Sequence, residues 1–583
     1  MHRAVTPIRR VFVATAALLL VALPALTPYA RADALPGKAA VASAHPMATA
    51  AGLEVLAAGG NAFDAAVAIS ATLAVVEPYS SGLGGGGFWL LHRAQDGTEV
   101  MVDGRERAPG AATADMYLDA EGRVDRRLAL SSGLSPGIPG TVAALDHIAR
   151  EYGTMPLSRT LAPAIRAARN GFEVTERYRL LAGFKRDVMR NTPAGRVFLV
   201  DGEIPEAGSL LVQRDLAATL TAIAEGGAAA FYRGPIAEQL VAGVRAAGGI
   251  WSLEDLADYA VVERSPVVTE YRGTRVVAGS SPSSGGVVIA QALGMLSEFD
   301  LTALSELDKR HLVIEALRRG YRDRAEYLGD PDYVDIPRKA LLDPTYLSRR
   351  AETIEMTRAT SSRDLPPLPV PAAASGGEDT THFSVLDAAG NRVAATMSIN
   401  TSFGSGQMPP GTGVVLNNEM DDFAARVLTP NAWGLVGVAA NQIAPGKRPL
   451  SSMTPVFLDD GRRVALLGTP GGSRIISMVL LGILDFVDAG GDADSMVSAP
   501  RFHHQYIPDV VQFEKGELSE VIRADLERRG HEVTELRRRY GNMQVVVWDR
   551  VSDDVRAASD PRGEGASAVL DYAAAPPRSV GRR

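Results

Sequence analysis

Thr380 and Thr381 stand at an unusual junction in this 583-residue sequence. The stretch "GGEDTTHFSV", residues 376–385, closes a proline- and glycine-rich run and begins a strand-like alternation at once. A threonine hydroxyl becomes an effective nucleophile when a base sits beside it, and a chain cut before Thr380 would supply one as the new α-amine. The junction therefore suggests an N-terminus waiting to be made. Two other stretches offer what such a nucleophile needs. "GTPGGSR" (468–474) follows an apolar run and presents successive N–H groups at Gly471 and Gly472, suited to an oxyanion. "KRPLSSMTP" (447–455) presents Ser451 and Ser452 side by side. Glycine and serine turns are common, so neither stretch carries the assignment alone.

The surrounding elements must bring these residues together. "LPPLPVPAAASGGED" (365–379) lacks the pattern of helix or strand and is expected to be an exposed, flexible linker. Beyond it, "THFSVLD" and "RVAATMSIN" alternate on either side of "AAGN", which predicts a hairpin centred near Ala389 and Gly390. That centre places Thr380 opposite roughly Ile399, with Ser398 and Asn400 on one face beside it. Helical periodicity runs through 45–78, broken at Gly59 and Gly60, and recurs at 140–151, 214–225, 235–247 and 309–328. Strand-like runs lie at 98–103, 274–279, 453–458 and 544–549. Strands, helices and glycine-rich connections in this mixture predict a layered α/β or α+β protein, in two lobes or one very large domain.

Other motifs fail on their own chemistry. "SGLGGGGFW" (81–89) contains GxGxxG, but a strand-like run follows where a dinucleotide site needs a helix. A tight loop passing close to another element fits better. "GLSPG" (133–137) imitates a nucleophile elbow at Ser135, yet Pro136 has no N–H for the oxyanion hole. "NNEMDDF" (417–423) and "GDPDYVD" (329–335) gather acids that could bind a divalent cation, without an EF-hand pattern. "RFHHQ" (501–505) is expected to be structural. No metal and no cofactor are expected.

The net charge of −8 gives no basic field for nucleic acid or an anionic membrane. With no cysteine in the chain, disulfides, thiolate metal sites and a cysteine nucleophile are excluded. Arg3, Arg9 and Arg10 precede the apolar run 11–23, and "YARADA" offers cleavage sites after Ala32 or Ala34. Residues 1–34 therefore have the pattern of a secretory signal peptide, and the apolar run is short of the about 20 residues a spanning helix needs. The protein is expected to be exported, periplasmic or extracellular, with no membrane span in its mature form.

Taken together, "GGNAFDAAVA" (59–68), "SGLGGGGF" (81–88), "RERAP" (105–109), "PSSGG" (282–286), "EYLGDP" (326–331), "TTHFSV" (380–385), "NNEMDDF", "KRPLSSM" and "GTPGGSR" resemble the γ-glutamyltranspeptidase (glutathione hydrolase) family of N-terminal-nucleophile hydrolases. The resemblance spans nearly the whole chain after residue 34. It implies an α+β four-layer αββα sandwich and one precursor that cuts itself into a large subunit (35–379) and a small subunit (380–583). Thr380 resembles the nucleophile, Ser398 a hydroxyl beside it, and Gly471 with Gly472 the oxyanion hole. Arg105 matches the arginine that holds the α-carboxylate of a γ-glutamyl group, and Ser451 and Ser452 the pair that bonds it too. Glu419, Asp422 and Asn400 match the residues that hold the α-ammonium.

Two positions depart from the family's usual pattern. Ser398 stands where a threonine is usual, which keeps the hydroxyl but loosens χ1. "TPNAWGLVG" (429–437) matches a lid loop whose aromatic is usually tyrosine and here is Trp433, an indole that donates but does not accept. The implied substrates are glutathione or related γ-glutamyl compounds, with water or an amino-acid or peptide amine as acceptor. The rivals are an acylase of the same superfamily acting on cephalosporin or glutaryl amides, and a silent exported binding protein.

Overall fold

The computed structural model describes residues 35–365 and 380–572. Two antiparallel sheets form its centre. The first runs, edge to edge, through Ala566–Asp571, Lys38–Ser43, Thr381–Leu386, Arg392–Ser398, Gly86–Arg93, Thr98–Asp103 and Val262–Arg264. The second runs through Asp554–Ser559, Gln544–Asp549, Arg463–Gly468, Val456–Asp459, Thr274–Ala278 and Val267–Tyr271. Residues on both sides of position 380 therefore contribute strands to both sheets. Residues 35–365 and 380–572 are interleaved rather than two lobes.

Alternation along the strands builds the layers. In Gly86–Arg93, Trp89 and Leu91 join one core with the helices Pro46–Ala57 and Ala62–Val76, while Phe88 and Leu90 join a second core. That second core holds the facing side chains Val277, Phe457 and Leu466 of the other sheet, and the helices Gly285–Leu296, Glu306–Tyr327 and Ile475–Asp488. Helix, sheet, sheet and helix are thus stacked as four layers, which is the expected αββα sandwich.

The hairpin that carries Thr380 turns one residue earlier than the sequence suggests. Leu386 faces Arg392 and Thr381 faces Met397, so Thr380 faces Ser398 rather than Ile399. The reason is Asp387, whose carboxylate accepts from the N–H groups of Ala389 (2.9 Å) and Asn391 (3.0 Å) and from the Asn391 amide (2.8 Å). It also accepts from the N–H of Ala62 at 2.9 Å, fastening the turn to the start of a buried helix. A side chain that caps a turn in this way adds a residue to it.

The glycine run at 84–87 approaches other backbone closely, as expected. A Cβ on Gly85 would stand 2.2 Å from the carbonyl oxygen of Ser398, and one on Gly84 2.2 Å from that of Val415. Only glycine lets this loop back the strand end that presents Ser398. Among the described residues, no helix is long and apolar enough to cross a membrane.

Candidate active site

Thr380, Ser398, Asn400, Glu419, Asp422, Trp433, Ser451, Ser452 and Gly472 line one cavity together with Arg324. The Thr380 and Ser398 hydroxyls are 3.3 Å apart. Ser398 Oγ accepts from the N–H of Asn400 at 2.8 Å, which aims its own proton elsewhere. Asn400 follows the strand end with φ of 74°, a left-handed conformation that asparagine tolerates better than most residues. This bend takes it off the strand face and into the cavity.

Glu419 and Asp422 sit on a short 3-10 turn, Glu419–Asp422. Both bond the guanidinium of Arg105: Nη1 pairs with Glu419, and Nη2 reaches Asp422 at 2.5 Å. Arg105 also donates to the carbonyl of Pro449 at 3.1 Å and is fully buried. Burial pushes the Glu419 carboxyl up to about 7, against the opposing pull of Arg105. Asp422 is raised for the same reason. Glu106, 3.5 Å from Arg105 and wholly buried, is raised further, chiefly by burial and then by the neighbouring Glu419. Arg105 is held well above its ordinary range by the three acids around it. The sequence pattern "RERAP" singles out Arg105; the structure turns its fork onto the acids.

Ser451 and Ser452 follow a loop pinned to the start of the helix Gly285–Leu296. The Ser451 N–H donates to Pro282 (2.8 Å), and its carbonyl accepts from the N–H (2.8 Å) and hydroxyl (2.6 Å) of Ser284. Gly471 and Gly472 precede the helix Ile475–Asp488 by one 3-10 turn, and of the two only Gly472 lines the cavity. Gly472 is a close approach: a Cβ there would stand 2.2 Å from the Trp433 ring.

Trp433 closes the cavity. Its indole Nε1 donates to Asn400 Oδ1 at 2.6 Å, while Asn400 Nδ2 donates to the Asn418 carbonyl at 2.9 Å. The loop is held further by Asn431, which donates to Asp422 Oδ1 at 3.1 Å, and by the N–H of Ala432, which donates to Asp421 at 2.7 Å. The cavity volume is about 20 Å³, room for about one water. Indole cannot accept, but here it is required only to donate.

Three residues were missed by sequence reasoning. Asp421 and Asn431 lie within "NNEMDDF" and "TPNAWGLVG", stretches the sequence singles out, but their role in tying one stretch to the other is visible only in the fold. Arg324 lies two residues before "EYLGDP", and only its position beside that stretch could have drawn notice. The decoys behave structurally. Ser135 Oγ donates to the Ser132 carbonyl at 2.5 Å, within its own turn. His503 pairs with Ser477 and Gln505, and His504 with Asp509. Asp330 accepts from the Arg448 N–H, and Asp332 pairs with Arg264.

A profile of the gamma-glutamyltranspeptidase family matches residues 48–570. The glutathione hydrolase proenzyme of Escherichia coli (strain K12) is 41% identical over 527 residues, 90% of each chain. The acylase ACY 1 proenzyme of Pseudomonas sp. (strain V22) is 36% identical over 522 residues, 87% of this chain and 89% of that one. Among solved structures, cephalosporin acylase from Bacillus halodurans superposes with a TM-score of 0.80 at 28% identity, covering 91% of this chain and 95% of that one. Helicobacter pylori gamma-glutamyltranspeptidase gives 0.55 at 40% identity, covering 56% and 94%.

Proposed function

The chain belongs to the gamma-glutamyltranspeptidase family, and from that premise we propose that it is an autoprocessed gamma-glutamyltransferase and glutathione hydrolase whose nucleophile is Thr380. The precursor cuts itself between Asp379 and Thr380, leaving pieces 35–379 and 380–583. The freed α-amine, with an ordinary pKa of about 8, takes the Thr380 proton as the hydroxyl oxygen attacks the γ-amide carbonyl. The N–H groups of Gly471 and Gly472 hold the oxyanion. The C–N bond breaks, the leaving amine takes the proton, and a γ-glutamyl ester of Thr380 remains. Water resolves it to glutamate; an amino-acid or peptide amine resolves it to a new γ-glutamyl amide. Either acceptor restores the Thr380 hydroxyl.

The observation that carries this reading is one cavity holding a hydroxyl pair, Thr380 and Ser398, beside two acids and two serine hydroxyls. Glu419 and Asp422 suit an α-ammonium, and Ser451 and Ser452 an α-carboxylate. An acylase is the second reading, favoured by the 0.80 TM-score to a cephalosporin acylase. A glutaryl group would leave Glu419 and Asp422 without a cation of the substrate to meet. Residues 1–34 lie outside the described residues; their arginines followed by an apolar run support a cleaved signal peptide and export.

Denaturing electrophoresis with N-terminal sequencing tests the processing, and matched anilides test the chemistry. A smaller band beginning Thr-Thr-His-Phe and a clear preference for γ-glutamyl over glutaryl anilide are expected. An uncut chain, or a preference for the glutaryl compound, would overturn the reading.

A further inference from the structure

Arg324 is a buried cation whose partners in the fold are hydroxyls. It lies in the last turn of the helix Glu306–Tyr327, is 4% exposed, and lines the cavity that holds Thr380. Its Nε donates to Ser284 Oγ at 2.9 Å, and its Nη2 lies 3.5 Å from Ser452 Oγ. Among the described residues no carboxylate lies within 4.0 Å of its guanidinium. Asp422 acts on it only through space, and the negative end of its own helix offsets part of the charge. Burial pushes its pKa down to about 10, the sign of a charge incompletely compensated.

Arg105 is in the opposite condition. Its fork is taken up by Glu419 and Asp422, behind the cavity wall, and it does not line the cavity. A zwitterion entering this site brings an ammonium for the two acids and a carboxylate that needs a cation. If Arg105 alone met that carboxylate, it would have to loosen its hold on the acids as the ammonium arrived. Arg324 needs no such exchange, and it already points at Ser452.

We propose that Arg324 is a donor-binding residue, which together with Ser451 and Ser452 meets the α-carboxylate of the acyl donor. The proposal rests on the γ-glutamyl reading above and adds a residue to it. Ser284 is the positioning residue: its hydroxyl donates to the Ser451 carbonyl and accepts from Arg324, so one side chain links the guanidinium to the serine pair.

The test is steady-state kinetics of the processed enzyme, wild type, Arg324→Gln and Arg324→Lys, on three anilides. These are the γ-glutamyl donor, the glutaryl donor that keeps the carboxylate but lacks the ammonium, and a γ-glutamyl donor whose α-carboxylate is a carboxamide. A lost charge-assisted bond predicts that Arg324→Gln lowers kcat/KM about tenfold to a hundredfold on the two carboxylate donors, mainly through KM. The carboxamide donor should change less than about twofold, and Arg324→Lys should recover part of the loss. Equal losses on all three donors would make Arg324 a structural support and overturn the proposal; so would no loss on any.

If Arg324→Gln does not fold, Arg324→Lys alone decides, by the same contrast between carboxylate and carboxamide donors. Should wild type turn over no γ-glutamyl anilide, the donor reading fails instead. The rise in Tm with added L-glutamate, compared with 4-aminobutyrate, then judges Arg324 separately. A rise specific to L-glutamate that vanishes in Arg324→Gln supports the assignment, and an unchanged rise overturns it.

Discussion

The indole N–H of Trp433 donates to Asn400 Oδ1 at 2.6 Å, and the same ring lies on Gly472. One aromatic side chain therefore ties the covering loop to the strand end beside Thr380 and to the glycine turn opposite it. Removing the donor leaves a buried amide oxygen unpaired, at a cost of about 1–3 kcal/mol. In Trp433→Phe the loop should open more often, by about fivefold or more. Tryptic cleavage after the exposed Arg426 measures this, since it requires local opening. Trp433→Tyr, whose hydroxyl can donate, should stay nearer the wild-type rate.

On the proposed reading, processing should depend on the hydroxyl that faces Thr380. Ser398→Ala removes both that group and the acceptor for the Asn400 N–H. Self-cleavage should slow by about tenfold or more, followed as the disappearance of the full-length band. Ser398→Thr keeps the oxygen and restricts χ1, so it should cleave at least as fast as wild type. Thr380→Ala should remain a single chain.

Donor binding should tighten as pH rises through about 7. Below that value Glu419 is protonated in the empty site, because burial outweighs the pull of Arg105. A neutral carboxyl offers an ammonium much less, so KM should fall with rising pH between about 6 and 8. Glu419→Gln should raise KM and flatten this part of the profile. A wild-type KM that does not change over the interval would contradict the assignment.

Stability should fall on the acid side for a separate reason. His382 and His503 are buried neutral, with pKa values pushed down to about 3 by desolvation, and His504 likewise to about 4. Each folded-state value lies below the unfolded one of about 6.5, so the unfolded chain binds protons more readily between them. The stability they contribute is fully present above about 6.5 and is lost as pH falls toward 3. Glu419 and Asp421, raised to about 7 and about 6, act in the opposite direction over the upper part of this window. Tm should therefore change little down to about pH 6 and drop steeply below about 5.

What the sequence determined by itself was local or carried in contiguous residues. The Thr380 junction, the hairpin pairing it with a hydroxyl, the close-approach glycines and the paired serines all follow from short-range pattern and turn chemistry. The hairpin was misplaced by one residue because the Asp387 carboxylate lengthens the turn, and that side chain is also held by Ala62, 325 positions away. Tertiary structure alone decided the rest. Only packing could show that strands from both sides of residue 380 share each sheet, or that Arg105 spends its charge on Glu419 and Asp422. Arg324 came from a helix whose periodicity was legible, but which face of that helix meets the cavity depends on contacts with Ser284 and Ser452. Those contacts join residues 40 and 128 positions apart, and no local pattern encodes them.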